Sequence, residues 1–351
     1  RTSGISCAAM DLVCPRCRHA LVEASREWTC GGCGSSWPIV AGIPDLRIAP
    51  DPHIGIEEDR EKARRLAREA DGRSLEELVS FYFSITPEVP PDRVRAFTSA
   101  KIHLGPARAQ DRLDAWTRRV TLPGARVLDL GCGAGAWLPP LTQHFTSVIG
   151  VDVALRWLVV ARKALEEVGA QATLVCANAE HLPFADNVVD AVVGANVLEH
   201  VADAPRSMGE AVRVLDRDGV CLLTTPNRLS LLPEPHVGIP ALGWLPRRVA
   251  DELVRRVRGV PYGGVTLRTA PGLVNLASAA GFRRVRVHPP SIGPRERETL
   301  GRLGSLAAGA YELIRRAPGG RLGLQAVGPL LEVDAFKGPN KKAIPVGRGR
   351  D

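Results

Sequence analysis

Between residues 126 and 336 the chain alternates short strand-like runs, most of them almost continuously apolar, with longer segments that are apolar on one helical face. The runs fall near 126–130, 147–151, 172–177, 188–195, 219–225 and 282–288, and a last one near 330–336 would close the set. Continuous apolar strands of this length suit a sheet covered on both faces. Helices between them, such as Ala154 to Val168, return the chain to the same end of the sheet and so make neighbouring strands parallel. The pattern predicts an α/β fold with a doubly wound, mostly parallel sheet. An amphipathic segment from Arg108 to Val120 is expected to pack over the sheet before its first strand. No internal repeat is visible.

Two stretches depart from this rhythm. Residues 57–70 are rich in charge, with Glu58 and Lys62, and Glu61 and Arg65, at i,i+4 spacing, and read as a solvated connecting helix within a linker of residues 49–107. Residues 226–265 carry Pro226, Pro233, Pro235, Pro240, Pro246 and Pro261 among several glycines, and follow the fifth strand. An insertion there lies over the carboxyl edge of the sheet, where ligands bind, and is a candidate lid. Within it Leu245, Val249, Leu253 and Val257 are expected on one helical face, with Arg247, Arg248, Arg255, Arg256 and Arg258 on the rest. Those arginines suit phosphates or lipid headgroups, or simply solvent.

The first apolar run leads directly into chemistry. Arg126 to Gly135 reads R-V-L-D-L-G-C-G-A-G, a buried strand entering three closely spaced glycines. Gly131, Gly133 and Gly135 permit a tight turn and a close backbone approach to a ligand. Asp152 ends the second run, 21 residues beyond Gly131, where a carboxylate can accept from two ribose hydroxyls. A glycine loop alone also satisfies a relaxed dinucleotide fingerprint, so further residues must discriminate. They come in Asn178-Ala-Glu-His-Leu-Pro-Phe184, Asp190-Ala-Val-Val and Asn196-Val-Leu-Glu-His200.

With these motifs, residues 108–336 resemble class I S-adenosylmethionine-dependent methyltransferases, which are Rossmann-like, and particularly those of ubiquinone and menaquinone biosynthesis. The resemblance implies Asp129, Gly131 and Gly133 near the amino-acid end of the cofactor, Asp152 on its ribose, and Asn178 and Ala179 at its adenine. The family usually carries an acidic residue where this chain has Asn178, whose amide oxygen is still able to accept from the adenine amino group. Glu199 and His200, just past the fourth strand, and His236 in Pro-Glu-Pro-His are candidates to orient an acceptor or remove its proton. Each also has a plain structural reading: Glu199 and His200 as fixtures of a loop and helix start, His236 as a solvent-facing histidine. His103 and Tyr262 rank below them.

Eight cysteines distribute unevenly. Cys14-Pro-Arg-Cys17 and Cys30-Gly-Gly-Cys33 are two C-x-x-C knuckles, the arrangement that brings four thiolates round a structural zinc ion; the alternative is a redox pair. The segment 11–48 is therefore read as a zinc ribbon, and from Leu12 to about Arg47 it resembles ribbons related to the activator subunit of tRNA and protein methyltransferases. Cys176 and Cys221 read as small buried hydrophobes, and Cys132 as structural.

The formal charge is +8, lowered by two if four thiolates hold one dication. Such a balance suits RNA, a membrane face or an acidic metabolite, and equally serves solubility. No apolar run approaches the roughly 18 residues of a transmembrane helix, nor does the amino terminus read as a signal peptide, so a cytoplasmic location is expected. The chain opens at Arg1, residues 1–9 read as upstream sequence before a start at Met10, and residues 337–351 form a basic tail. The favoured function is methyl transfer to an O, N or C atom of a small or medium-sized metabolite. An RNA methyltransferase using the ribbon is the alternative, and a non-catalytic cofactor-binding partner protein ranks third. Oligomeric state is not readable.

Overall fold

The computed structural model describes residues 12–86, 91–120 and 125–338. Met10, and Lys341, Lys342, Arg348 and Arg350 of the tail, lie outside the described residues.

The amino-terminal segment forms an antiparallel sheet of β1 (Leu21–Glu23), β2 (Glu27–Cys30), β3 (Ser36–Val40) and β4 (Ile43–Pro44). Its alternation is legible in β2 and β3, where Trp28 faces Trp37 across the ladder and both rings are buried. Three helices follow: α1 (Ile56–Ala70), α2 (Leu75–Ser84) and α3 (Pro91–Ser99). A capping box starts α2: Ser74 Oγ accepts from the Glu77 amide, and Glu77 accepts from Ser74. A single π-turn, Ala100–Leu104, leads into α4 (Gly105–Arg119).

The large sheet is built from β5 (Arg126–Leu130), β6 (Ser147–Asp152), β7 (Thr173–Cys176), β8 (Val189–Ala195) and β9 (Leu215–Pro226), all parallel, then β10 (Arg284–His288) and β11 (Leu330–Phe336). Between them run α5 (Leu138–Thr142), α6 (Leu155–Glu167), α7 (Ala204–Val214), α8 (Arg247–Arg258), α9 (Ala270–Ala280), α10 (Pro294–Thr299), α11 (Arg302–Arg316) and α12 (Gly320–Val327). The order is β7-β6-β5-β8-β9-β11-β10, and β11 runs antiparallel to both neighbours. The sheet is thus the doubly wound, mostly parallel one expected. The chain order reverses between β5 and β8, which puts the ligand crevice at their carboxyl ends.

Three expectations need correction. The charge-rich helix α1 is no mere solvated connection: Ala63, Leu66 and Ala70 recur at helical spacing and are buried in the cluster that holds Leu155, Leu158 and Val159 of α6. The four apolar positions assigned to one face of α8 do not share it. Steps of four residues drift by about 40° each, so Ala250 and Val254 are buried while Val249 and Val257 are exposed. The α8 arginines are largely spoken for: Arg247 donates to the Tyr262 and Gly263 carbonyls, Arg258 to the Val237 carbonyl, and Arg255 and Arg256 pair with Asp251 and Glu252.

The amino-terminal sheet is welded to the large one. Beyond β4 the chain runs along the edge strand β7, with Asp45 parallel to Cys176 and the Leu46 amide donating to the Cys176 carbonyl at 2.7 Å. Leu12, Trp28, Trp37 and Leu46 join Val175, Ala177, Leu182 and Phe184 in one buried cluster. An edge that would otherwise offer unpaired peptide groups is closed by the chain's own segment.

Candidate functional site

At the switch point the strand β5 ends in the glycine loop. Gly131, Gly133 and Gly135 all have positive φ, at 69°, 51° and 81°. What a side chain would meet differs among them. A Cβ on Gly131 would strike Val197, and one on Gly135 would lie 2.9 Å from Ala161 Cβ, so these two serve close packing of the loop against the β8 turn and α6. A Cβ on Gly133 would meet nothing within 4 Å: its face is open to a ligand.

Asp152 braces this loop. Its Oδ2 accepts from the Gly133 amide and its Oδ1 from the Ala154 amide, both at 2.8 Å. Burial holds the carboxyl above the usual carboxylate range despite those two bonds. Each oxygen keeps a lone pair free for a hydroxyl. Asp129 is fully buried, and its Oδ2 has no hydrogen-bond partner; burial first, and the Asp152 charge second, push its carboxyl well above its ordinary value. A buried orphan acceptor beside an open glycine is what a cationic ammonium group would satisfy.

Asn178 has another occupation. Its Oδ1 accepts from the Ile48 and Ala49 amides at 2.9 and 3.1 Å, while Nδ2 donates to the Ala49 carbonyl at 3.2 Å. The expected acceptor for an adenine amino group is therefore already doubly used by the amino-terminal segment. A carboxamide suits a peptide because it answers both the N–H and the C=O, which a carboxylate cannot. Ala179, next along, is partly buried against the core.

The same segment carries an ion-pair network that sequence reading missed. Arg47 and Asp59 are both 0% exposed at their side chains. Arg47 pairs with Asp45 and Asp59 and donates to the Val153 carbonyl; Arg156 pairs with Asp59 and Asp51. Asp59 also accepts from the Leu155 amide at 2.9 Å, capping α6 from a distant helix where Ala154 offers no side-chain cap.

Glu199, His200 and His236, far apart in sequence, come together. Asn196, left-handed at φ 55°, turns the chain sharply after β8 and leads into the Glu199-His200 pair. Glu199 is buried, accepts from Thr225 Oγ1 at 3.0 Å, and leaves Oε1 without a partner; burial raises its pKa to about 7. His200 Nε2 lies 3.1 Å from His236 Nε2, and His236 Nδ1 lies 2.5 Å from Glu234 Oε1. Burial, then His236 and His53, lower the His200 pKa to about 4. At His236, burial pulls down but the Glu234 carboxylate prevails and raises it. Glu199, His200 and His236 offer donor atoms within 4.8 Å of one another, a set able to hold a divalent ion. Glu234 was missed although its signal was present: an acid two residues before a histidine in a proline-rich turn, its Oε2 accepting from the His236 and Val237 amides. Beside this group, a cavity of about 280 Å³ is lined by Arg228, Leu242, Arg247, Tyr262, Thr266 and Leu267, and the Thr266 amide donates to the Glu199 carbonyl. His103 lies in the π-turn.

Residues 128–223 match the family model described as a methyltransferase domain. This part of the chain is a class I methyltransferase domain. The chain is 33% identical over 132 residues to a ubiquinone biosynthesis O-methyltransferase of Azorhizobium caulinodans, covering 36% of this chain and 51% of that one. It is 28% identical over 167 residues to the protein of that description from Rhodopseudomonas palustris, covering 44% and 63%. The chain thus spans about half to three fifths of the length of these curated relatives. A methyltransferase structure from Mesorhizobium loti superposes with a TM-score of 0.45 at 19% identity, over 65% of this chain and 97% of that one.

Outside the matched stretch of the methyltransferase domain, the four knuckle cysteines converge. Cys14 and Cys33 sulfurs are 3.6 Å apart, Cys17 and Cys30 sulfurs 3.3 Å, and all four lie within 4.8 Å of one another. Tetrahedral thiolates about 2.3 Å from a zinc ion would stand roughly 3.8 Å apart, so the donor set fits that metal. Cys132, Cys176 and Cys221 are buried, as small hydrophobes are.

Proposed function

We propose that this protein transfers the methyl group of S-adenosylmethionine to a small or medium-sized metabolite whose accepting atom must lose a proton, as a hydroxyl does. The observation that carries this reading is the Glu199, His200, His236 and Glu234 cluster at the carboxyl rim of β8, directly beside the glycine loop. When bound, the cofactor supplies an electrophilic methyl on a sulfonium. Asp129, Gly133 and Asp152 would hold its amino-acid and ribose ends, and Ala179 would lie by the adenine. Asn178 acts indirectly, by fixing the chain at Ile48 and Ala49.

The chain's own proton chemistry follows from the histidine pair. With His236 Nδ1–H donated to Glu234, His236 Nε2 is an acceptor and His200 Nε2–H donates to it, which leaves His200 Nδ1 as the free base. A proton taken there passes along the pair to His236, whose cation Glu234 stabilises. Residues 226–265 serve as the lid, and the cavity enclosed within them, closed by Thr266 and Leu267, receives the acceptor. The relatives' description as O-methyltransferases supports an oxygen acceptor. Zinc in the Cys14, Cys17, Cys30 and Cys33 site is structural, and the location is cytoplasmic. An RNA acceptor is disfavoured because Trp28 and Trp37 are buried and give bases no stacking platform.

Incubation with methyl-labelled cofactor and separate RNA and small-molecule fractions tests the reading. Label should enter the small-molecule fraction, and His236→Asn should lower that turnover by about 10²-fold or more with cofactor affinity kept. Label confined to RNA, or none in either fraction, would overturn it.

A further inference from the structure

We propose that the outward face of α11 and α12 docks on an anionic phospholipid bilayer. An ordinary surface helix buries its apolar stripe and solvates its charges, whereas α11 does the reverse. Its inner contacts are polar: Tyr311 Oη donates to the Pro290 carbonyl, and the buried Glu312 accepts from the Ile292 amide and pairs with Arg315. Its leucines look outward. Leu303, Leu306 and Leu313 are 84%, 71% and 73% exposed, and Leu322 of α12 is 72% exposed. With exposed Ala310 and Ala317, positions 303, 306, 310, 313 and 317 repeat at spacings of three and four, one continuous stripe along the helix.

The charge around the stripe selects the occupant. Arg302, Arg316 and Arg321 are exposed, and Glu312, the single carboxylate of α11 and α12, is already shared by Arg315 and Arg316. Pairing this face with a second copy would set arginine against arginine with no acid to answer. An anionic lipid surface supplies the missing charge, and its acyl region takes the leucines. None of the helices among the described residues is long and apolar enough to cross a membrane, so the element lies on the bilayer. The apolar surface also continues toward the candidate site. Asn227 Nδ2 donates to the Gln325 and Ala326 carbonyls and the Leu231 amide to the Val327 carbonyl, which joins α12 to the base of the 226–265 insertion, where Leu231 and Leu232 are exposed too. Docking would bring the rim of the crevice to the lipid surface.

Flotation of the full chain with phosphatidylcholine vesicles, with and without phosphatidylglycerol, tests this. The protein should float with the anionic vesicles and less so as salt rises. The double variant Leu306→Glu/Leu313→Glu should lose about tenfold or more of that binding while keeping its melting temperature. Leu303→Glu/Leu322→Glu probes the same stripe from its ends, so a folding failure in one pair leaves the other informative. Equal flotation of wild type and variants, no flotation at all, or a dimer that either variant splits into monomers would overturn the proposal. It stands apart from the reaction: a chain that floats but transfers no methyl group keeps the docking face and loses the proposed activity.

Discussion

The two sides of the crevice are built by opposite means. On the β7 side, residues 45–59 are tied down by an added strand pairing, the Asn178 carboxamide and a buried arginine–aspartate network. On the β9 side, residues 226–265 carry a small cluster of their own, Leu242, Ala250, Val254, Tyr262 and Val265, and meet the rim of β8 through the contact of His236 with His200. Backbone pairing and buried ion pairs have one good geometry and fail abruptly, whereas two partly exposed imidazoles separate at little cost. The first side is suited to holding a cofactor in one place, and the second to admitting an acceptor.

The sharpest way to break that contrast is Asp59→Ala. It leaves three guanidiniums, Arg47, Arg60 and Arg156, to share Asp45 and Asp51, one carboxylate too few, and it uncaps α6. Loss of one partner in a buried network costs about 3–5 kcal/mol, to be read by urea unfolding. A loss under about 1 kcal/mol would mean the β7 side is not rigidly held.

Removing metal from the cysteine site is the next test. Trp28, Trp37 and Leu46 share a core with Val175 and Phe184, so the small sheet is expected to unfold with the large one. Chelation should lower a single calorimetric transition by about 5 °C or more. Two transitions, with the upper one unmoved, would make the amino-terminal sheet a separable attachment.

Much of this architecture was legible because its causes are local. Most strands of the large sheet were apolar runs and β10 an alternating one, the glycine loop announced itself by spacing, and the knuckles by their C-x-x-C pairs. What stayed hidden depends on residues brought together from afar. Asp59 caps a helix that begins at Leu155, Asn178 reads the backbone at Ile48, and no local pattern connects either pair. Asn178 was singled out only as a departure from a family's usual acid, and its partner became visible with the fold. The stripe of α11 escaped for a different reason: a leucine repeat at helical spacing says that a face exists, not whether it turns inward.

The rim of β8 yields a prediction in pH. Glu199 has its pKa raised to about 7 by burial, so its neutral form fits the folded state better than its charged form. The folded value lies above the unfolded one. This contribution to stability is therefore fully present below the ordinary glutamate range and is lost as pH rises through about 7. Glu199→Gln, which keeps an oxygen for Thr225, should match wild type near pH 4 and exceed it by about 3 kcal/mol at pH 8. A variant no more stable at high pH would place a compensating cation, such as a protonated His236 or a bound metal, beside Glu199.

The smallest effect bears most directly on how the β7 side works. Asn178→Asp keeps an acceptor for the Ile48 and Ala49 amides but loses the Nδ2–H donated to the Ala49 carbonyl and sets two oxygens face to face. The cost should be about 1 kcal/mol, the net value of one hydrogen bond. Calorimetric affinity for S-adenosylmethionine should stay within about twofold, because the side chain serves the protein's own backbone rather than the ligand. A tenfold gain in affinity, about 1.4 kcal/mol, would show instead that an acid at this position leaves the backbone and turns to the adenine. The β7 side would then be as adaptable as residues 226–265, and the contrast between the two sides would fail.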